Sequence, residues 1–524
     1  MINEYLELGL FLTAVAMMML GFPVAFTLAG VAIGFAFLGS WLEIFQLRQL
    51  NFLPQRMFGI LSNDVLIAAP LFIFMGLMLE RSRVAEDLLI TMTRLLRGLR
   101  GGLALSVVLV GMLMAASTGI VGATVVTMGL IALPVMLKNG YSPRLATGVI
   151  CASGTLGQII PPSIVLVFLG DILTYANQQA NLRSGNATGS SVGVGDLFAG
   201  SLVPGLILVG LYAAYVLVVA WLRPGAAPAM KHAPDLTMTA RDRWTVLLNG
   251  LVAPGALVVS VLGSILAGIA TPTEAAGVGA VGATLLAGLR ARPDRAGLML
   301  AGVAAAIALL VLNRFFNLLL LREDFSTTER VALWVSFGLV ALTTLSLATA
   351  LWSVFRLGIL RPVVESTARI CGMIFAILVG ASLFALTFRG LGGEETVHHM
   401  LSSLPGGLTG AMIFVMALMF LMGFFLDFLE IVFILVPIVG PALILLGADP
   451  VWLGVMIAIN LQTSFLTPPF GFALFFLRGV APPDVRTSDI YTGIIPFVVL
   501  QLAMLVVLAL FPALATALPR LLLG

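Results

Sequence analysis

Charge is what this chain has least of. Asp, Glu, Lys and Arg make up 10% of its 524 residues, against about 25% in soluble globular domains. That shortage excludes an ordinary soluble fold, and no polar stretch is long enough to form a soluble domain. The longest polar loops are roughly 174–196 and 223–243. Cysteine occurs twice, as Cys151 and Cys371, each inside an apolar stretch, which excludes a disulfide framework. Of three histidines, His232 stands in a loop, and the adjacent His398 and His399 cannot share one helical face. A metal-ligand set and a nucleophile–base–acid arrangement are both missing, and a solvated loop is the reading for 398–399. Nowhere does Gly-x-x-x-x-Gly-Lys-Ser/Thr occur, so the chain carries no ATPase of its own.

What is abundant is apolar sequence: 60% hydrophobic residues and a mean hydropathy of +1.12. At ~20 residues per span, this length holds on the order of a dozen crossings and little else. The net charge of +3 fits Lys and Arg in cytoplasmic loops of a bacterial inner-membrane protein and gives no reason to expect nucleic acid. The chain begins Met1-Ile2-Asn3-Glu4 with no basic region before its apolar run, so 5–20 reads as a retained span and not a cleaved signal. Further spans are expected at 22–46 and 64–80. Leucines at helical spacing among the arginines of 80–100 predict an amphipathic helix, either an arm at the membrane interface or a solvated cytoplasmic helix.

Proline is not scarce, and its placement repeats. Pro134, Gly140, Pro143, Pro161-Pro162 and Phe168 recur as Pro441, Gly447, Pro450, Pro468-Pro469 and Phe475, each 307 residues later. With 26 prolines in the chain, one aligned pair is proline by chance roughly once in 400, so four at one offset indicate an internal duplication. Proline belongs least in lipid, where a lost backbone donor has no replacement. Paired interruptions in matching apolar segments are a sequence signature of a transporter's binding site.

The segments around these prolines predict two re-entrant helical hairpins, at about 103–138 and 408–446. Each is followed by a broken helix, at about 142–173 and 451–477. Breaks are expected at Ser153-Gly154-Thr155 and Ile160-Pro161-Pro162-Ser163, and at Asn460 through Ser464 and Thr467-Pro468-Pro469. Loop 223–243 carries Arg223, Lys231, Arg241 and Arg243 where loop 174–196 carries only Arg183. The first is therefore inside and the second outside, joined by a span at 197–222. Counting spans in both directions, two across 244–289, two at about 298–320 and 330–355, and one at 370–388, brings the two hairpins in from opposite faces. The expected organisation is a first inverted repeat over 1–222, and a cytoplasmic loop with connecting helices over 223–289. An accessory helical insertion over 290–361 and a second repeat over 362–524 complete it.

Hairpin tips facing helix breaks supply helix N-termini for an anion and freed carbonyls for a cation, with small hydroxyl and amide side chains completing an oxygen cage. Candidates in the first half are Ser117, Thr118 and Thr124 at the tip and Ser153, Gly154, Thr155 and Gln158 opposite. In the second half they are Asn460, Gln462, Thr463, Ser464 and Thr467. Any one hydroxyl here can equally serve helix–helix bonding. Asp427 and Glu430 are the acids most embedded in apolar sequence, fit for a cation, a proton relay or a pairing with Arg389. Thr271-Pro272-Thr273-Glu274 reads as a helix start with a capping box, which is compatible with an ion site.

Together these motifs resemble the large membrane subunit of tripartite ATP-independent periplasmic (TRAP) transporters, the DctM type. The carriers are Gly21-Phe22-Pro23-Val24-Ala25, Ala116-Ser117-Thr118-Gly119, Gly154 through Ser163, Ala270 through Ala276, and Leu466-Thr467-Pro468-Pro469-Phe470-Gly471. They cover nearly the whole chain outside 290–361. The second half also resembles the branch associated with mannitol, chloroaromatic or 2-oxo acid transport. The resemblance implies an all-α polytopic elevator-type importer and not an enzyme. It would use sodium as coupling ion with no other cofactor, and work with a small four-helix membrane subunit and a periplasmic substrate-binding protein. The implied cargo is a small organic anion such as a 2-oxo acid, dicarboxylate or lactate, carried within membrane lipid. The implied sodium ligands are Ser117, Thr118, Gly119, Gly154, Thr155, Gly268, Thr271, Thr273, Asp427 and Asn460. Ser153, Gln158, Gln462, Thr463 and Ser464 are left for the substrate. The alternative is a permease subunit of another class, ATP-driven or proton-coupled.

Overall fold

Helix starts are written into the sequence by proline and by short polar caps. Pro143 and Pro450 open equivalent helices, Pro143–Thr155 and Pro450–Leu466, where the missing N–H costs nothing. Asp449 caps the second by accepting from the N–H groups of Val451 and Trp452, and Asn63 caps Asp64–Arg81 by accepting from Val65. Thr271 and Glu274 form the expected reciprocal box at the head of Pro272–Ala291. The computed structural model describes residues 2–119, 121–185, 192–230, 252–316 and 326–523, and every regular element in them is helical. Ile120, Lys231, His232, Arg241 and Arg243 lie outside the described residues, as do the side chains of Ser117 and Thr118.

Seven helices among the described residues are long and apolar enough to cross a membrane, or up to ten if each bent pair is one span. The expected spans fall on Ile2–Met19, Val24–Trp41, Asp64–Arg81, Val194–Leu222, Thr327–Arg356 and Leu360–Gly390. A short helix at Leu53–Leu61, after a 3-10 turn at Leu47–Phe52, adds to the expected elements. The basic stretch after Glu80 shortens to the helix Val84–Leu95. Its apolar face is turned largely inward, with Leu88, Leu89 and Met92 buried and Ile90 and Leu95 exposed. The 290–361 insertion is a helix pair, Ala296–Phe315 and Thr327–Arg356, closely packed through small residues. A side chain at Gly302 would run into Ser346, and one at Gly288 into Ala350.

Two helical hairpins stand where the repeat placed them. The first joins Gly102–Thr118 to Val121–Lys138 through Gly119, whose φ of +60° suits glycine. The second joins Leu408–Met422 to Phe428–Ile434 and Val436–Leu445, with Asp427 at the turn. Their bases lie at opposite ends of Val194–Leu222. At its C-terminal end, Gly101 and Ser142 donate backbone N–H groups to Ala227 and Ala226. Near its N-terminal end, a Cβ on Gly200 would meet Val451 just past the second hairpin.

The halves also interlock by one rule. Val121–Lys138 packs on Phe472–Val480 of the other half, where Gly122 and Gly129 leave room for Phe476 and Leu477. Its counterpart Val436–Leu445 packs on Ile164–Arg183, where Gly440 faces Ala176. Each hairpin thus clasps the other half's broken helix, the reciprocal contact a two-fold axis requires.

The breaks themselves differ from expectation. Pro143–Thr155 stays helical through Ser153 and Gly154, and Pro450–Leu466 stays helical from Asn460 through Ser464. The hydroxyls fold back on their own helix: Thr155 on the carbonyl of Ala152, Thr463 on Ile459 and Ser464 on Leu461. The first helix gives way at Thr155 to a 3-10 turn over Leu156–Gln158 before Pro161-Pro162, the second ends at Leu466 just before Pro468-Pro469, and both proline pairs are cis. The expected polar loop from 174 is helical to Arg183, and His398 and His399 lie on the helix Gly393–Ser403 instead of in a loop.

Candidate functional site

Helices Pro143–Thr155 and Pro450–Leu466 meet where their polar residues coincide. Ser153, Thr155, Gln158, Gln462, Thr463 and Ser464 are all fully buried, and Asn460 is 3% exposed. Gln462 donates through Nε2 to Thr155 Oγ1 at 3.3 Å. Asn460 donates through Nδ2 to the carbonyl of Met416 on the second hairpin at 2.8 Å. Ser153, its repeat equivalent, sits against the first hairpin at Gly111, where a Cβ would lie 2.5 Å from the serine's own. Gly154 likewise admits Val125 of the hairpin's second arm.

Buried polar atoms are almost always bonded, and this cluster breaks that rule repeatedly. Ser153 Oγ, both amide atoms of Gln158, and Gln462 Oε1 have no partner among the described residues. Three uncharged oxygens and one amide N–H group, buried and without such partners, suit a dehydrated cation or a polar ligand group. Ser153, Thr155, Gln158, Asn460, Gln462, Thr463 and Ser464, all expected at a site from the sequence, thus come together in one region.

At each tip the hairpin rests on the following break. Gly119 lies against Ile164, the first residue of Ile164–Arg183, and a Cβ on Gly119 would stand only 3.2 Å from the Ile164 nitrogen. Phe425 stacks on Phe470 with ring centroids 5.0 Å apart. The positive end of a 20-residue helix therefore points at the first tip.

Other candidates have different employment. Asp427 does not pair with Arg389. It caps Phe428–Ile434 by accepting from the Phe428 N–H at 2.8 Å, and Glu430 accepts in return from the Asp427 N–H at 3.1 Å. The sequence Asp-x-x-Glu carried that capping box and it was legible. Arg389 pairs with Glu394. Gly268 is an exposed helix end with φ of +65°, Thr271 is exposed in its capping box, and Thr273 donates to the Asp64 carbonyl at 2.6 Å. These three stay apart from the buried cluster, and Thr273 ties Pro272–Ala291 to Asp64–Arg81.

Two further polar pairs tie helices together without having been expected from the sequence. Gln501 Nε2 donates to Tyr212 Oη at 2.7 Å, both residues being fully buried. Asn63 donates to Asp171 at 2.7 Å across 108 residues. The available signal for Tyr212, Gln501 and Asp171 was a polar residue inside an otherwise apolar run.

The fold and this site define a polytopic helical membrane protein with duplicated, interlocked hairpins. In fold it is similar to the crystal structure of the Alcanivorax borkumensis YdaH transporter, described as having an unusual topology. The TM-score is 0.53 at 16% identity, covering 89% of this chain and 88% of that one. The family model "Tripartite ATP-independent periplasmic transporter, DctM component" matches residues 11–514, and the chain belongs to that family. The match spans 290–361, so the insertion lies within the family's extent and not outside it. The chain is 29% identical over 521 residues to the C4-dicarboxylate TRAP transporter large permease protein of Vibrio cholerae, with 98% of each covered. It is 24% identical over 503 residues to the ectoine TRAP transporter large permease protein of Halomonas elongata, with 96% of each covered. It is a multi-pass inner-membrane permease subunit.

Proposed function

We propose that this large permease subunit drives sodium-coupled import of a small organic acid, handed over by a periplasmic binding protein and assisted by a small membrane subunit. The observation that carries the reading is the set of partnerless buried polar atoms at Ser153, Gln158 and Gln462, where the two repeats meet. Sodium would be held at Gly119, Gly154, Thr155 and Asn460, together with Ser117 and Thr118 at the first tip. The cargo would lie against Ser153, Gln158, Gln462, Thr463 and Ser464. Each hairpin would be re-entrant, and the interlocked unit would move as one body against the outer helices, in elevator fashion. Gly268, Thr271, Thr273 and Asp427 keep their structural bonds in this scheme, and any part in ion binding would be through backbone oxygens. C4-dicarboxylate relatives favour a carboxylate cargo over other small solutes.

The test is uptake into proteoliposomes by the complete transporter, with the binding protein encoded beside it and an imposed sodium gradient. Thr155→Ala and Asn460→Ala should each raise the sodium concentration for half-maximal uptake several-fold. Sodium activation that is unchanged in both, or uptake that needs no sodium in the parent, would overturn the assignment.

A further inference from the structure

A slot of about 450 Å³ lies between Leu408–Met422, Pro450–Leu466 and Thr487–Leu510. Met412 and Met416 line it from the second hairpin's first arm, Trp452 and Met456 from the helix after that hairpin, and Val506 and Ala509 from the last long helix. In each pair the residues are three or four apart, one above the other on a helix face, so the slot runs lengthwise. Its lining reaches from Leu408 to Met416, about 12 Å at 1.5 Å per residue, most of the roughly 15 Å depth of one hydrocarbon leaflet. A volume of about 450 Å³ over that length leaves a cross-section of roughly 40 Å², against ~80–110 Å² for a helix about 10–12 Å across. A partner helix does not fit, and a single hydrocarbon chain does.

The two ends of the slot differ. By the loop charges its mouth opens to the outside, and there Asp449 lines it. Oδ1 of Asp449 caps Pro450–Leu466, while Oδ2 lies 3.4 Å from Nη2 of Arg520, on the short helix Ala513–Leu522. The Arg520 side chain is 75% exposed, so most of its donor fork is open to a second acceptor. Met416 and Met456 make the floor, with flexible side chains that adapt to an irregular neighbour. A cation at the mouth of an apolar slot of this depth complements an amphiphile, its phosphate above and its chain below.

We propose that this slot binds one phospholipid of the outer leaflet, with an acyl chain between the three helices and the phosphate on Arg520. An empty slot forfeits the dispersion contacts of its lining, and the chain restores them. The chain lies against Met416, whose carbonyl holds Asn460, so the lipid props the hairpin arm where it meets the central cluster. Binding requires neither sodium nor cargo, so this site and the transport reading stand or fall separately.

The probe is phosphatidylcholine brominated midway along its acyl chains, titrated into the full-length chain with its small subunit in detergent. Bromine quenches an indole only at close range, and Trp452 lines the slot while being only 9% exposed. Its emission, taken as the difference between the parent and Trp452→Phe, should fall saturably by at least half. Ala509→Phe, at an exposed position of the lining, fills the slot and should abolish the fall. Arg520→Gln should raise the half-quenching concentration several-fold, and Arg520→Lys should recover part of the loss. Brominated diacylglycerol, which has the chains without the phosphate, should bind the parent as weakly as the phospholipid binds Arg520→Gln. Melting temperatures close to the parent's separate these effects from misfolding. The proposal fails if Trp452 is not quenched, if it is quenched alike in Ala509→Phe, or if Arg520→Gln titrates as the parent does. It fails equally if quenching needs the small subunit to be left out, since that partner would then cover the slot.

Discussion

Gln462 is hydrogen-bonded to Thr155, and the two are 307 residues apart, the offset that aligns the two halves. A residue can reach its own repeat partner only beside the axis that relates them. This bond therefore marks the centre of the duplicated unit. It also shows where the duplication has been broken: the same position is a hydroxyl in one half and an amide in the other. An amide can both donate and accept, and here only its donor is used by the protein, while Oε1 is without a partner.

The bond should register as energetic coupling. Hydrogen bonds between helices in membrane proteins average about 0.6 kcal/mol by double-mutant cycles. Thr155→Val, Gln462→Leu and the double variant should accordingly depart from additivity by roughly 0.5–1 kcal/mol, read from denaturant unfolding of the purified protein in detergent. Strict additivity would mean that the two side chains do not meet.

Tyr212 and Gln501 offer a test of a different kind. Tyr212→Phe leaves the Gln501 amide buried with its partner gone, a loss of about 1–3 kcal/mol. Replacing both, as Tyr212→Phe with Gln501→Leu, removes donor and acceptor together and should recover most of that. Thermal unfolding of the three variants decides it, and a double variant less stable than Tyr212→Phe alone would contradict the pairing.

Asp427 separates capping from charge. Asparagine accepts from the Phe428 N–H as aspartate does, so Asp427→Asn should melt close to the parent. Asp427→Ala gives up the cap at a cost of about 1 kcal/mol. If the asparagine variant melts as low as the alanine one, the cap is not what Asp427 supplies.

Much of this fold could be read from proline alone. The shared offset of Pro134, Pro143, Pro161 and Pro162 with Pro441, Pro450, Pro468 and Pro469 located both hairpins and both breaks, because proline acts locally through a missing N–H and a fixed φ. The fate of Ser, Thr and Asn was harder to read. The polar runs at 153–155 and 460–464 suggested helix breaks, but the hydroxyls of Thr155, Thr463 and Ser464 bond back to their own helices, and only the packing decides between these outcomes. Asp427 and Glu430 drew attention as intramembrane charge, although their spacing also spelled a capping box. Tyr212 and Gln501 lie on different halves, 289 residues apart, and nothing local in either neighbourhood announces the other. Arg389 was one of several partners open to Asp427 and Glu430, whereas its partner in the structure, Glu394, is only five residues away.

Close backbone contact between the halves gives the last prediction. Helix Thr487–Leu510 lies against Pro143–Thr155 so tightly that a Cβ on Gly148 would strike the carbonyl of Gly493, and one on Gly493 the carbonyl of Arg144. Neither obstacle is a side chain that could rotate away, so the helices themselves must part. Overpacking of this kind costs typically 1–3 kcal/mol, and Gly148→Ala and Gly493→Ala should both lower the unfolding temperature. Gly210, which has nothing within 4 Å of its would-be Cβ, is the matched control: Gly210→Ala should leave stability equal or higher, since alanine favours a helix by up to about 1 kcal/mol. Pro143–Thr155 carries Ser153 and Thr155 into the central cluster, so parting the helices should shift the sodium dependence of uptake as well. A Gly493→Ala protein with the parent's melting point would show that the two helices are less closely apposed than their glycines imply.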